Sequence, residues 1–267
     1  MTSKNFSSLS NNKTNIKSVF SNSFNSVFIS KSLLFKPFAS SSSCGSQNVS
    51  SCGSTKQCNN EELPELNFSN ISKNCYIEQI TTKCLALYSY YIEANGKAIV
   101  IDPERDIEYY LELAKKRNSK IVYIAETHFH ADYVSGHYNL SKKTGAQIIY
   151  GPGAKSEFDI VKTEDNMEFK LSDKVSIRLI HTPGHTLESS CYSLEENDGK
   201  VRKTIAIFTG DTVFKGEVGR PDLAVKSDLT SKDLALMLHD SLEKIKKLPD
   251  NTLIFPGHGS GSECGKT

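Results

Sequence analysis

Four short segments carry most of the histidines in this chain. They are Thr127 to His137 (THFHADYVSGH), Thr182 to Thr186 (TPGHT), Thr209 to Thr212 (TGDT) and Pro256 to Gly259 (PGHG). Together they hold His128, His130, His137, His185 and His258, most of the 7 histidines among 267 residues, with Asp132 and Asp211 beside them. Neutral imidazole and carboxylate are the common ligands of Zn, Fe and Mn. His128, His130 and Asp132 alternate, so an extended segment would point all three the same way. Glycine and proline turns beside His185, Asp211 and His258 let the backbone bring these groups close together. A single histidine is more often a surface or hydrogen-bonded core residue, and TPGHT or TGD alone is only a turn. Four such segments, each following a strand-like run, point to one metal centre.

Those runs are the elements that must position the ligands. Cys84 to Glu93 and Ala98 to Asp102 are rich in β-formers. Asn95-Gly96 separates them, a pair suited to the positive φ angles of a type I′ hairpin turn. A helix is predicted after a capping Asp106, with Ile107, Tyr110, Leu111, Leu113 and Ala114 apolar. Lys115-Lys116-Arg117 stands at its C-terminal end, where cations complement the helix dipole. Ile121 to Ala125 reads as a buried strand that delivers the histidine segment from its end. Further strands are expected at Ala146 to Tyr150, Val175 to Ile180, Ser190 to Leu194, Thr204 to Phe208 and Leu253 to Phe255. A second helix is expected from Lys232 to Lys247, with Leu234, Leu238, Leu242 and Ile245 on one face. Hairpins with few helices argue for a mixed α/β sandwich rather than a doubly wound sheet. Loops at strand ends are where such scaffolds present function.

The composition changes near Glu61, the first acidic residue. Before it, Lys4, Lys13, Lys17, Lys31, Lys36 and Lys56 are spread among Ser and Asn. Residues 1–70 therefore read as a disordered segment and 71–267 as the catalytic domain. An acid-poor, Ser-rich, basic start is similar to a transit peptide, although it lacks the arginines such peptides favour. The expected location is the mitochondrial matrix, with the cytoplasm as the alternative. A net charge of +1 gives no general attraction to nucleic acid or an anionic membrane. Val27 to Phe38, the most apolar early stretch, is too short to span a bilayer. The 7 cysteines form no C-x-x-C pair, which favours a reducing compartment.

Over residues 75–267 the order H-x-H-x-D, TPGHT, TGD, PGHG resembles the metallo-β-lactamase superfamily. That implies a four-layer αβ/βα sandwich with the metal at one edge of two facing sheets. CLALYSYYIE, VIDPERD, ETHFHADYVSGH, FTGDTVFKGEVGRPDL and PGHGSGSECGK resemble more closely the persulfide dioxygenases, or sulfur dioxygenases, related to the ethylmalonic encephalopathy protein. The run from Phe208 to Leu223 is the most specific of these. The dinuclear hydrolases of the superfamily, including hydroxyacylglutathione hydrolase (glyoxalase II), carry H-x-H-x-D-H, and the last His binds a second metal. Tyr133 stands there instead, and a phenol with an unperturbed pKa of about 10 is a poor substitute. One metal per chain is therefore expected.

The resemblance implies His128, His185 and Asp211 as ligands, a two-His, one-carboxylate face suited to non-haem Fe(II), with Zn as the alternative. His130, Asp132 and His258 then orient the ligands or serve as alternative ones. The implied reaction is oxidation of glutathione persulfide by O₂ to sulfite and glutathione, in sulfide catabolism. Arg220 is a candidate substrate contact or one half of an ion pair with Asp222. Tyr133 is a hydrogen-bond donor to the pocket or a packed aromatic. Relatives of this branch often continue into a rhodanese domain, and no rhodanese-type cysteine loop is present. A separate rhodanese-type sulfurtransferase is the expected partner. The alternatives are a hydroxyacylglutathione hydrolase-like thioesterase and a non-catalytic sulfur-carrier-binding module of the same fold.

Overall fold

A computed structural model of the chain describes residues 66–68, 71–82, 86–225 and 228–259. The expectations of disorder and targeting for residues 1–70 lie outside the described residues, apart from 66–68, as do Cys84 and Cys264.

The Asn95-Gly96 turn sets the first sheet. Both residues have positive φ, 53° and 76°, and the flanking strands pair from Ala94 to Lys97 as a type I′ hairpin requires. Those strands are β3 (Leu87–Ala94) and β4 (Lys97–Ile101). They are flanked by β1 (Leu66–Asn67), β2 (Tyr76–Thr82), β5 (Lys120–Ala125) and β6 (Gln147–Ile149), and the spatial order follows the numbering. The second sheet has the order β11-β10-β9-β8-β7. Its members are β7 (Glu168–Lys170), β8 (Val175–His181), β9 (Ser190–Asn197), β10 (Arg202–Gly210) and β11 (Leu253–Pro256). Three strand pairs are parallel, β4 with β5, β5 with β6 and β10 with β11. Parallel neighbours need a crossover. The three crossovers carry α1 (Glu108–Lys116), α2 (His137–Thr144) and α3 (Ser231–Lys246) in turn.

Alternation along the strands builds two apolar layers. Tyr90, Ile92, Ile99 and Ile101 meet Ile177, Leu179, Tyr192, Leu194 and Phe208 between the sheets. Here Tyr90, Phe208 and Phe255 form a ring cluster with centroids 4.9 to 5.5 Å apart. On the opposite face of the first sheet, Tyr91, Ala98 and Val100 are covered by Tyr110, Leu113 and Ala114 of α1 and Leu140 of α2. Each large side chain so buried contributes roughly 1.5–3 kcal/mol relative to exposure. Outside the second sheet, α3 buries Leu234, Leu238, Leu242 and Ile245 and is closed at its start by a Thr230–Asp233 capping box. The result is the four-layer α/β sandwich expected from the sequence.

Several elements depart from the sequence reading. α2 is a helix that the sequence reading did not foresee. Its segment HYNLSKKT buries only Leu140, so no apolar periodicity announces it, and it ends on Gly145 at φ 72°. β2 and β7 were likewise not foreseen. β9 and β10 run past their apolar stretches because the ladder is continued by charged residues, with Arg178 and Arg202 both paired to Glu195. The cap of α1 is Ile107 rather than Asp106, whose Oδ1 instead accepts the Glu108 N–H at 3.2 Å.

Candidate metal centre

His128 lies just beyond β5, His185 on the turn between β8 and β9, and Asp211 directly after β10. One candidate ligand therefore leaves the first sheet and two leave the second, all at the same edge. All three side chains are buried, and one donor atom from each lies within 4.8 Å of the others. Nε2 of His128 and Nε2 of His185 stand 3.8 and 3.7 Å from Asp211 Oδ2.

The hydrogen bonds behind these atoms decide what they present. His185 Nδ1 lies 3.1 Å from the Arg220 carbonyl oxygen, which can only accept, so Nδ1 carries the proton and Nε2 a lone pair. The Thr127 hydroxyl donates to Asp102 Oδ2 at 2.8 Å and so accepts from His128 Nδ1 at 3.0 Å. His128 Nε2 is then also a lone pair. Burial, and next the neighbouring charge of His130, lower the His128 pKa to about 3, which keeps it neutral. The third atom, Asp211 Oδ2, is buried with no hydrogen-bond donor among the described residues. Two lone pairs and an unsatisfied carboxylate oxygen facing one point repel each other unless a cation lies between them. The residues thus fit a metal ion, with their outer nitrogens fixed as second partners of ligating histidines usually are.

His258 completes the group without pointing a lone pair into it. Its Nδ1 is 2.8 Å from Asp211 Oδ1 and its Nε2 is 2.9 Å from Asp132 Oδ2. Burial alone would depress its pKa, yet the bonds to Asp132 and Asp211 lift it to about 9. Its two ring nitrogens thus bridge two carboxylates. Asp132 in turn is held below the usual carboxylate range, chiefly by its bond to His258 acting against partial burial.

The rings of His128 and His130 lie 4.1 Å apart, but their donor atoms belong to separate clusters and Asp132 turns to His258. The segment is a series of bends rather than extended chain. His130 turns instead onto two buried carboxylates, with Nε2 3.0 Å from Asp102 Oδ1 and 3.3 Å from Glu126 Oε2. Burial disfavours its charge, but Asp102 and then Glu126 raise its pKa well above the ordinary value. The Tyr133 ring packs 4.5 Å from His130, and its hydroxyl is buried with no hydrogen-bond partner among the described residues. Burial and the nearby carboxylates keep it a neutral phenol. Arg220 pairs with Asp222 through two bonds of 3.1 and 2.7 Å, and it is the Arg220 carbonyl that reaches the centre. Asp102 and Glu126 were not among the sequence candidates. Their signal was an acid placed directly after a buried strand, Asp102 after β4 and Glu126 after β5.

Two glycines permit this approach. Gly184 has φ 145°, and a Cβ there would lie 2.4 Å from the Leu238 side chain of α3, so the His185 turn rests directly on that helix. A Cβ on Gly219 would lie 1.9 Å from the Asp211 carbonyl oxygen. Only a bare backbone brings the Arg220 carbonyl onto His185.

A sandwich of two mixed sheets between helices, with histidines and a carboxylate converging at one edge, defines a metal-centred α/β class. The family model described as the metallo-beta-lactamase superfamily matches residues 83–258, and the chain belongs to that superfamily. A hydroxyacylglutathione hydrolase of Pelagibacter ubique is 33% identical over 178 residues, covering 64% of this chain and 66% of that protein. Further relatives so named are spanned over 61–63% of their length. Among solved structures, a metallo-beta-lactamase from Staphylococcus aureus has a TM-score of 0.65 at 32% identity, covering 71% of this chain and 57% of that one. ETHE1 from Myxococcus xanthus has a TM-score of 0.57 at 26% identity, covering 71% and 78%.

These comparisons correct the reading of an iron-dependent persulfide dioxygenase, and with it the oxidoreductase class. The curated relatives carry the name of a hydrolase at 29–33% identity, and ETHE1 enters only as a structural neighbour. The physical reason is that H-x-H-x-D, TPGHT and TGD build a metal centre common to both reactions. Such motifs identify the centre and not the chemistry performed there. O₂ as a substrate and a sulfurtransferase as a partner rested on the reading now displaced.

Proposed function

We propose that the chain is a metal-dependent hydrolase of glutathione thioesters, of the hydroxyacylglutathione hydrolase type. The observation that carries this is the convergence of His128 Nε2, His185 Nε2 and Asp211 Oδ2 on one point, in a chain whose curated relatives bear that enzyme's name. Those three residues hold one ion. Zn(II) suits a hydrolase with this donor set because it has no redox chemistry of its own, and Fe(II) accepts the same donors. A single ion is favoured because both ring nitrogens of His258 are already bonded to Asp132 and Asp211. Tyr133 supplies no imidazole.

When bound, the ion supplies Lewis-acid polarisation of the thioester carbonyl and of a water. The chain's own groups do the rest. Asp102 and Arg220 fix the two ligand tautomers from behind, through Thr127 and the Arg220 carbonyl. His258 holds Asp132 and Asp211 at a set separation. Asp132, half-buried, is held ionised by its bond to His258. The ring of Phe129, exposed and tilted against Tyr150 at 4.7 Å, offers an apolar flank to the acyl group.

The zinc-loaded chain is expected to release glutathione from a hydroxyacyl thioester under nitrogen as fast as in air, followed as free thiol. No thiol release from any glutathione thioester defeats the proposal. We further propose that residues 1–70 direct the chain to the mitochondrion. A fluorescent protein fused behind residues 1–70 is expected to co-localise with mitochondria, and a uniform cytoplasmic signal refutes it.

A further inference from the structure

The ligand set spans the sandwich, since His128 belongs to the first sheet and His185 and Asp211 to the second. Such a set is only as well defined as the join between the sheets. Glu188, buried between β8 and β9, lies at that join. Its Oε1 accepts the Phe129 N–H at 2.9 Å and the Thr186 hydroxyl at 2.8 Å. Phe129 follows His128 and Thr186 follows His185, so one oxygen ties the neighbours of two ligands together. The backbone closes around it. Ser190 N–H donates to the Thr127 carbonyl at 2.8 Å, and the Ser190 hydroxyl donates to the Glu188 carbonyl at 3.1 Å. A Cβ on Gly151 would lie 1.8 Å from that carbonyl, so the loop after β6 packs against it as well.

We infer that Glu188 is a positioning residue, which sets the separation of His128 and His185 and thereby the affinity of the centre for its ion. The inference rests on the metal-centre reading above. Groups that orient ligands in this way typically change metal affinity by about 10–100-fold when removed. The geometry assigns the effect to the two hydrogen bonds rather than to charge, and a glutamine oxygen can accept both.

The test is the Zn(II) affinity of the full chain, measured by competition with a chromogenic chelator, beside thermal unfolding of the metal-free forms. Glu188→Ala is expected to bind Zn(II) about 10–100-fold more weakly, and Glu188→Gln to stay within about threefold of wild type. If Glu188→Ala does not fold, Glu188→Asp serves, since it keeps the charge but draws the oxygen back by one methylene. It is expected to lose affinity in the same direction. Wild-type affinity in Glu188→Ala or Glu188→Asp overturns the inference and leaves the metal centre standing. A Glu188→Gln variant as weak as alanine also overturns it, because charge and not bonding geometry would then govern. A wild-type chain that binds no Zn(II) defeats the metal-centre reading itself.

Discussion

Asp211→Asn is expected to lose metal binding and thioesterase activity together while keeping the fold. The substitution preserves shape, and an amide oxygen can still accept from His258 at the position of Oδ1. What it removes is the negative charge on Oδ2, the one atom of the triad that is both buried and without a donor. That charge offsets the desolvation of a divalent ion held by two neutral imidazoles. Removing one partner of a buried charge pair costs about 3–5 kcal/mol. At 1.4 kcal/mol per tenfold, this is a loss of roughly 10²–10⁴ in metal affinity. Far-ultraviolet circular dichroism checks the fold and chelator competition reads the affinity. An unchanged affinity would remove Asp211 from the ligand set.

Removing the ion from the wild-type chain is the second large effect. Without a cation, the lone pairs of His128 and His185 face the unsatisfied oxygen of Asp211 across less than 4 Å. The stripped protein is therefore expected to be inactive and less heat-stable. Ligand linkage gives about 2.7 kcal/mol of stabilisation when free metal is at 100 times its Kd. For a domain of this size, 1 kcal/mol moves Tm by about 2–4 °C, so readdition raises it by roughly 5–11 °C. Elemental analysis of the restored protein is expected to give about one ion per chain. Two tightly held ions would show that the single-ion reading is wrong.

The reaction class was the least legible feature. The most specific local resemblance ran from Phe208 to Leu223 and pointed to sulfur oxidation. The relative matched across 178 residues carries the name of a hydrolase instead. A short run around Asp211 reports the backbone needed to carry a ligand and its glycine contacts. Gly219 is there because the Asp211 carbonyl and the His185 side chain leave no room for a Cβ. That constraint is the same whichever reaction the centre performs.

His128 and His130 mark the boundary between the two sources of information. The sequence by itself determined that β5 is apolar and delivers the histidine segment from its end, and that Asn95-Gly96 turns a hairpin. These follow from local rules: side-chain size, turn φ angles and the pattern of burial along one strand. Only the tertiary structure decided the fate of each histidine. His130 is drawn away by Asp102 and Glu126, His258 is captured by Asp132 and Asp211, and His128 is left facing His185. Those partners come from separate strands and loops. A polar side chain that must be buried goes to whichever opposite charge the fold brings nearest, and spacing along the chain does not contain that distance.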